Sequence, residues 1–244
     1  MADAPRQPQI VAIGGGGFST DPDDLLLERY VLAVANKERP RILFLPTASG
    51  DAADYVSRFY EAFESLPCSP SHLSLFSLST ADLESLILGQ DIIYVGGGNT
   101  KSMLALWREW QLDGILSAAY QQGIVLAGVS AGAICWFEHG ITDSIPGTYT
   151  AISCLGFLKG SNCPHFDSEP DRRPLYRQIV ASGAIPQGYG VDDGVALHFV
   201  NHALYGIVTA QAHGKAYRVE RGNGGVRETQ LDPVPLSDYL EIYS

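Results

Sequence analysis

The chain has 244 residues, 45% hydrophobic and 18% charged, with a formal net charge of −11. That length suffices for one domain with a sizeable core, and the composition excludes disorder as the main state. The acidic balance argues against a nucleic-acid partner, whose phosphates need clustered Lys and Arg, and against an anionic membrane surface. The opening stretch "MADAPRQPQI" has no basic region followed by an apolar one, so no signal peptide is read there. No run of about 18 apolar residues predicts a membrane-spanning helix. Four cysteines (Cys68, Cys135, Cys154, Cys163) show no CxxC pairing. That usage points to reduced thiols in a cytoplasmic protein and away from a structural zinc site.

Apolar runs of strand length alternate with helical patterns. "QIVAIGGG" (9–16) reads as a strand entering a glycine turn. Residues 22–37 read as a helix, with Pro22 in its first turn, Asp23 and Asp24 at its positive end and Lys37 at its negative end. "RILFLPTAS" (41–49) is a buried strand stopped by Pro46. Residues 51–66 form a helix with Tyr55, Phe59 and Phe63 at i, i+4, i+8. "LSLFSL" (73–78) predicts a short strand and 80–88 a short helix. "DIIYVGGGNT" (91–100) is a strand ending in glycines. Residues 100–122 predict one helix carrying Trp107 and Trp110, and "GIVLAGVS" (123–130) another buried strand. Such alternation predicts an α/β fold: a mostly parallel sheet with helices on both faces. Ligands then sit at the carboxyl ends of the strands, where "GGGGFS", "GGGNT" and "GVSAGA" should emerge together. Beyond residue 135, shorter segments predict antiparallel additions, with "VALHFV" and "LYGIVTA" paired and "KAYRVER" another strand before "GNGG". No linker and no repeat is visible, so 1–244 reads as a single domain.

Gly128-Val129-Ser130-Ala131-Gly132 satisfies G-x-S-x-G between a strand and a helix, the sequence form of a nucleophile elbow. The Ala131 N–H would face a developing oxyanion there; the competing reading is a small-residue turn. A serine nucleophile needs a base. Of six histidines, His165 stands in the proline-marked loop "NCPHFDSEP" and is favoured. His198 alternates with apolar residues and reads as a core histidine, His72 and His139 as surface or loop residues, and His202 and His213 stay open. Asp143 in "GITDSIPG" and Asp193 in "GVDDGVAL" are both at turn-like junctions, as an orienting carboxylate or as local turn acceptors. "VGGGNT" lacks the G-K-[ST] of a phosphate loop, and "AIGGGGFST" fails G-x-G-x-x-G because Ser19 falls at the last glycine. The glycines then read as close backbone approach to the serine, with the N–H of Gly97 or Gly98 as a second oxyanion donor. Arg172, Arg173 and Arg177 follow His165 as a small basic cluster, either a solvated helix start or a binding group for an acidic substrate.

"LPTAS", "YVGGGNT", "GVSAGA", "PHF" and "GVDDGVAL" occur in this order across most of the chain. In that ordered set the chain resembles the peptidase E family of serine peptidases, which includes aspartyl dipeptidases and cyanophycinases. The resemblance implies an α/β fold akin to class I glutamine amidotransferases, with serine replacing their cysteine. It implies Ser130 as nucleophile, His165 as base, and an oxyanion hole from Gly98 and Ala131. It leaves the acidic member open between Asp193, where the family usually has Glu, and Asp143. It points to Arg173 as reader of a substrate aspartate, with Arg172 and Arg177 as alternatives. No cofactor or metal is implied; the expected partner is a small peptide, and a homodimer is left open. The rival activities are cyanophycinase or isoaspartyl peptidase; the rival of another class is an inactive metabolite-binding homologue.

Overall fold

The computed structural model describes residues 6–222 and 225–238; residues 1–5 and part of "GNGG", both read above, lie outside them. In chain order the strands are β1 (Gln9–Ile13), β2 (Arg41–Leu45), β3 (Ser69–His72), β4 (Ile92–Val95), β5 (Val125–Val129), β6 (Phe137–Ile145), β7 (Thr148–Ser153), β8 (Leu158–Cys163), β9 (Gly188–Val191), β10 (Val195–Val200), β11 (Ala203–Thr209), β12 (Ala216–Gly222), β13 (Gly225–Leu231) and β14 (Val234–Pro235). The helices are α1 (Leu26–Val34), α2 (Ala53–Glu64), α3 (Leu83–Leu88), α4 (Thr100–Glu109), α5 (Leu112–Gln121), α6 (Ala131–Ile134) and α7 (Arg172–Ser182).

The first sheet has the order β14-β11-β10-β1-β5-β4-β2-β3. β1, β5, β4, β2 and β3 run parallel, and β10 and β11 add antiparallel on the other side of β1. Its central strands are apolar on both faces because both faces are covered. Val11 and Ile13 join the core under α1 and α2, with Phe59 and Phe63. Ile10 and Ala12 join the opposite core, with Met103, Leu104 and Trp107 of α4 and Leu116 of α5. Register decides where the chain leaves the sheet. Val129 pairs with Ile13 and Gly128 with Val95, so β1, β5 and β4 end side by side. The three glycine-bearing stretches therefore meet at one edge, as the strand reading requires.

Three expectations for the first 135 residues are corrected. The strand beside β2 is Ser69–His72, not 73–78; Phe76 in the latter is 67% exposed, and apolar spacing without a sheet partner makes no strand. Residues 100–122 form two helices, because Gln111 takes a left-handed φ of 54° between them. No Gly or Pro announces this break. It lets Trp107, which donates from Nε1 to Thr47 Oγ1 at 3.1 Å, and Leu112 both reach the core. The first helix begins at Leu26 rather than at 22, with Asp24 Oδ1 accepting the Leu26 N–H at 3.0 Å.

Beyond residue 135 the chain builds a second sheet, ordered β13-β12-β9-β8-β6-β7. It is mixed rather than antiparallel: β6, β8 and β9 run parallel. The "VALHFV" and "LYGIVTA" pair forms as read, as β10 and β11 of the first sheet. One apolar core joins the two sheets, running from Ile10 and Leu126 to Phe137, Leu158 and Ala216. Among the described residues no helix is long and apolar enough to cross a membrane, and all four cysteines are free.

Glu28 of α1 is fully buried and accepts the Phe18 N–H at 2.8 Å, which fastens the 3-10 turn Gly17–Ser19 after β1. Burial pushes its carboxyl up to about 7, against the pull of the Phe18 hydrogen bond. A raised carboxyl favours the fold in its neutral form. The stability it contributes is complete below its unfolded value of about 4.5 and is lost as the pH rises through 7. The urea midpoint should fall between about pH 5 and pH 8, and Glu28→Gln should flatten that slope; an equally steep slope in the variant would assign it to other groups.

Candidate active site

β5 turns into α6 at Ser130, which holds φ 55° and ψ −110°. The turn is sharp enough that backbones touch. A β-carbon on Gly128 would run into the Gly132 carbonyl, and one on Gly132 into the Val95 carbonyl of β4. Both glycines of G-x-S-x-G are thus required by contact with the neighbouring main chain. The Ser130 N–H is held by the Ile13 carbonyl at 3.0 Å, and its own carbonyl accepts from Ala133 and Ile134 at 2.9 Å each. The side chain is left half-buried at the sheet edge.

His165 follows β8 and comes to Ser130 across 35 residues of chain. Its Nε2 lies 2.8 Å from Ser130 Oγ and its Nδ1 2.7 Å from Asp193 Oδ1. A carboxylate only accepts, so the hydrogen-bond pattern assigns the proton to Nδ1 and leaves Nε2 to accept from the serine hydroxyl. His165 also has a left-handed φ, 53°. Burial pushes the Asp193 carboxyl up, but its hydrogen bond and charge contact with His165 outweigh this and hold it below the ordinary value.

The pair Asp192-Asp193 divides its work. Asp192 is buried, and its Oδ2 accepts the Lys215 N–H at 2.9 Å. Burial and the nearby Asp167 push its carboxyl up to about 6. Asp193, in the turn between β9 and β10, faces the histidine, and its N–H donates to Asp167 Oδ1 at 3.0 Å. Sequence reasoning passed over Asp167, although it lies two residues after His165. Gly15 belongs here too: a β-carbon there would collide with Asp193 Oδ1 and His165 Cε1. The run "GGGGFS" makes room for the histidine–carboxylate pair.

In the loop after β4, Gly96 donates to Leu45 O at 3.1 Å and Asn99 to Ala48 O at 2.7 Å. Gly97 donates to the Tyr55 hydroxyl at 3.2 Å. Gly98, at φ 136°, is closed against the Ala48 carbonyl, where a side chain would collide. Among the described residues, the N–H groups of Gly98 and Ala131 find no acceptor. Gly97 lies beside the serine, since a β-carbon on it would be 3.5 Å from Ser130 Cβ.

The other candidates sort by contact. Asp143, exposed on β6, pairs with Arg172 at 3.5 Å and not with His165, so the imidazole's carboxylate is Asp193. Arg172 is not a solvated or ligand-facing arginine. Its side chain is 2% exposed and bonds Glu169 Oε2 at 2.6 Å and the Ile141 carbonyl at 3.1 Å. A buried charge survives only when paired in this way, so these donors are committed to the fold. Arg173 and Arg177 remain about 40% exposed, and both are paired with Glu228 of β13. Arg173 also lies over the rings of Phe166 and Tyr217, at 5.1 and 4.5 Å from their centroids. His198 is buried between Tyr30 and Gln9, and burial pulls it down to about 4. His139 lies within β6 rather than in a loop, His202 bonds the Phe157 carbonyl, and His213 lines a cavity of about 430 Å³ beside Asp193.

A hydroxyl, an imidazole and a carboxylate in one hydrogen-bonded line move a proton off the hydroxyl and keep the resulting imidazolium in place. Known proteins carry related sequences. Residues 10–207 match the model of peptidase family S51. The chain is 53% identical over 223 residues to the uncharacterized peptidase YgaJ of Bacillus subtilis (strain 168), covering 91% of this chain and 96% of that one. A crystal structure of a peptidase from an acI-B1 Actinobacterium shares the fold at a TM-score of 0.65 and 19% identity, over 94% of this chain and 96% of that one. A Listeria monocytogenes EGD-e structure, provisionally described as peptidase E, matches at 0.58 and 18%, over 93% of this chain and all of that one. The family match over most of the chain and the 53% relative agree with the motif order read above: this chain belongs to peptidase family S51.

Proposed function

We propose that the chain is a serine peptidase that hydrolyses small peptides with an N-terminal aspartate through an acyl-enzyme. The unbroken line Ser130–His165–Asp193, at 2.8 and 2.7 Å, carries this reading. Ser130 Oγ attacks the scissile carbonyl carbon while its proton passes to His165 Nε2. The carbonyl oxygen becomes an oxyanion facing the N–H groups of Gly98 and Ala131. The C–N bond then breaks as the imidazolium returns its proton to the leaving amine. Water repeats the sequence on the ester, with His165 again taking the proton, and frees Ser130. Asp193 stays ionised and holds the Nδ1–H.

Arg173 supports the aspartate preference. It is partly exposed and lies over the rings of Tyr217 and of Phe166, the residue that follows His165 in the chain. Arg177 adds a second positive charge to the same carboxylate, Glu228. One observation favours a second reading, a β-aspartyl peptide carrying a cationic side chain. The 430 Å³ cavity beside Asp193 is lined by Asp21, Asp24 and Asp167, and a field of that sign draws cations.

Ser130→Ala should keep the circular dichroism of the wild type and lose roughly 10⁴-fold or more in kcat. A fluorophosphonate probe should label the wild type at Ser130. Asp-peptide turnover that persists in the alanine variant would end the mechanism.

Asp193→Asn should lower kcat by roughly 10³- to 10⁴-fold through loss of the imidazole's partner, and Asp143→Asn by less than about threefold. The reverse ranking would reassign the acid.

Kinetics on Asp-Leu, β-Asp-Leu, β-Asp-Arg and Ala-Leu should give the highest kcat/KM for Asp-Leu. A preference for β-Asp-Arg would instead select the cavity reading.

A further inference from the structure

The aromatic stripe of α2 hides one polar atom. Tyr55, Phe59 and Phe63 share a helix face and are all buried. Two end in hydrocarbon, but Tyr55 ends in a hydroxyl, and a buried hydroxyl needs partners. It accepts the N–H of Gly97 at 3.2 Å and shares a second hydrogen bond with the Ser19 side chain.

That bond has an unusual place in the loop. Two of the four N–H groups from Gly96 to Asn99 are held by main-chain carbonyls, and one by the Tyr55 side chain. The remaining one is the Gly98 N–H. Two consecutive glycines, 97 and 98, give this segment little intrinsic stiffness. Without the hydroxyl, the peptide joining Gly96 to Gly97 has no anchor, and the next peptide, whose N–H belongs to Gly98, turns with it. The ring that carries the hydroxyl is itself fixed. Phe18 stacks on it with centroids 5.6 Å apart, Phe44 meets it edge-on at 5.1 Å, and the Arg58 guanidinium lies 5.4 Å from its centroid. A side chain on Gly96 would collide with this ring, so the loop rests directly on it. Burial raises the phenol above its ordinary value, which favours the neutral hydroxyl.

We propose that Tyr55 is a positioning residue for the oxyanion hole: its hydroxyl fixes the Gly97 peptide and so presents the Gly98 N–H to the charge that develops on the carbonyl beside Ser130. This role rests on the serine-peptidase reading above. It touches neither substrate nor the reacting atoms, and it acts only through the loop. Its effect therefore belongs to the charged transition state and not to ground-state binding.

Tyr55→Phe removes the acceptor of the Gly97 N–H and keeps the ring; Ser19→Ala, which removes only the hydroxyl's other partner, should leave kcat and capture within about twofold. In the full chain, kcat on the best Asp-peptide and the second-order rate of fluorophosphonate capture at Ser130 should both fall by roughly 10- to 100-fold. KM should stay within about twofold, since uniform binding is untouched. Phe59→Leu, which opens the same aromatic stack without touching the loop, should lower Tm more while leaving kcat and capture within about twofold. The proposal is overturned if Tyr55→Phe keeps the wild-type kcat and capture rate while the wild type is labelled at Ser130. It is also overturned if Phe59→Leu loses as much activity, because the effect is then general softening. A wild type that neither cleaves peptides nor takes the probe removes the serine reading itself, and this role with it.

Discussion

Ser130 sits at φ 55° with a side chain attached, a conformation of order 1–3 kcal/mol above relaxed backbone. It is held there because β1 binds its N–H while β4 presses on Gly132 and Gly132 on Gly128 at backbone distance. The Ser130 carbonyl caps the turn of α6. Gly128 and Gly132 let β5, α6 and β4 approach more closely than any side chain permits. The strain is thus carried by the parallel core of the first sheet, whose strands are buried on both faces and have no room to shift. The half-buried hydroxyl presented at the sheet edge follows from that arrangement.

The remaining parts of the site are fitted around this fixed point by the same means. Gly15 yields space to the Asp193 carboxylate and the His165 ring. Gly98 closes on Ala48, and Gly97 is fastened by Tyr55. His165 is presented by the second sheet, and Asp193 by the turn that leads from that sheet back into the first. A catalytic line drawn from both sheets needs them held in register. The core that joins them, from Leu126 through Phe137 and Leu158, supplies that rigidity. Arg172 does related work behind the histidine loop, where its buried guanidinium ties α7 to Glu169 and the Ile141 carbonyl.

Much of this was legible in the chain. Continuous apolar strands ending in glycines predicted the parallel sheet and the common edge, because burial on both faces leaves that pattern. The elbow was legible because a tight strand-to-helix turn admits few residue types. What misled was local pattern without its partner. "LSLFSL" alternates like a strand, yet the strand formed at Ser69–His72, where β2 offers an unpaired edge. The helix over 100–122 broke at Gln111 with no breaker residue, so that both halves could bury their apolar faces. The parallel pairing of β6, β8 and β9 left no trace in segments this short.

The fold class, the serine at the elbow and the glycine stretches around it can be read in the chain alone, since these are constraints a residue meets through its own backbone and near neighbours. Which charges meet depends on the folded arrangement. Asp143 and Asp193 read alike as turn carboxylates, but one pairs with Arg172 and the other with His165. Arg172, Arg173 and Arg177 read as one cluster, but one is buried in the fold while two face Glu228, more than fifty residues further along the chain. Tyr55 read as one more apolar contact of α2 until its hydroxyl met Gly97. Electrostatic and hydrogen-bond partners are set by distances of a few ångström between residues remote in the chain, and no local pattern encodes those distances.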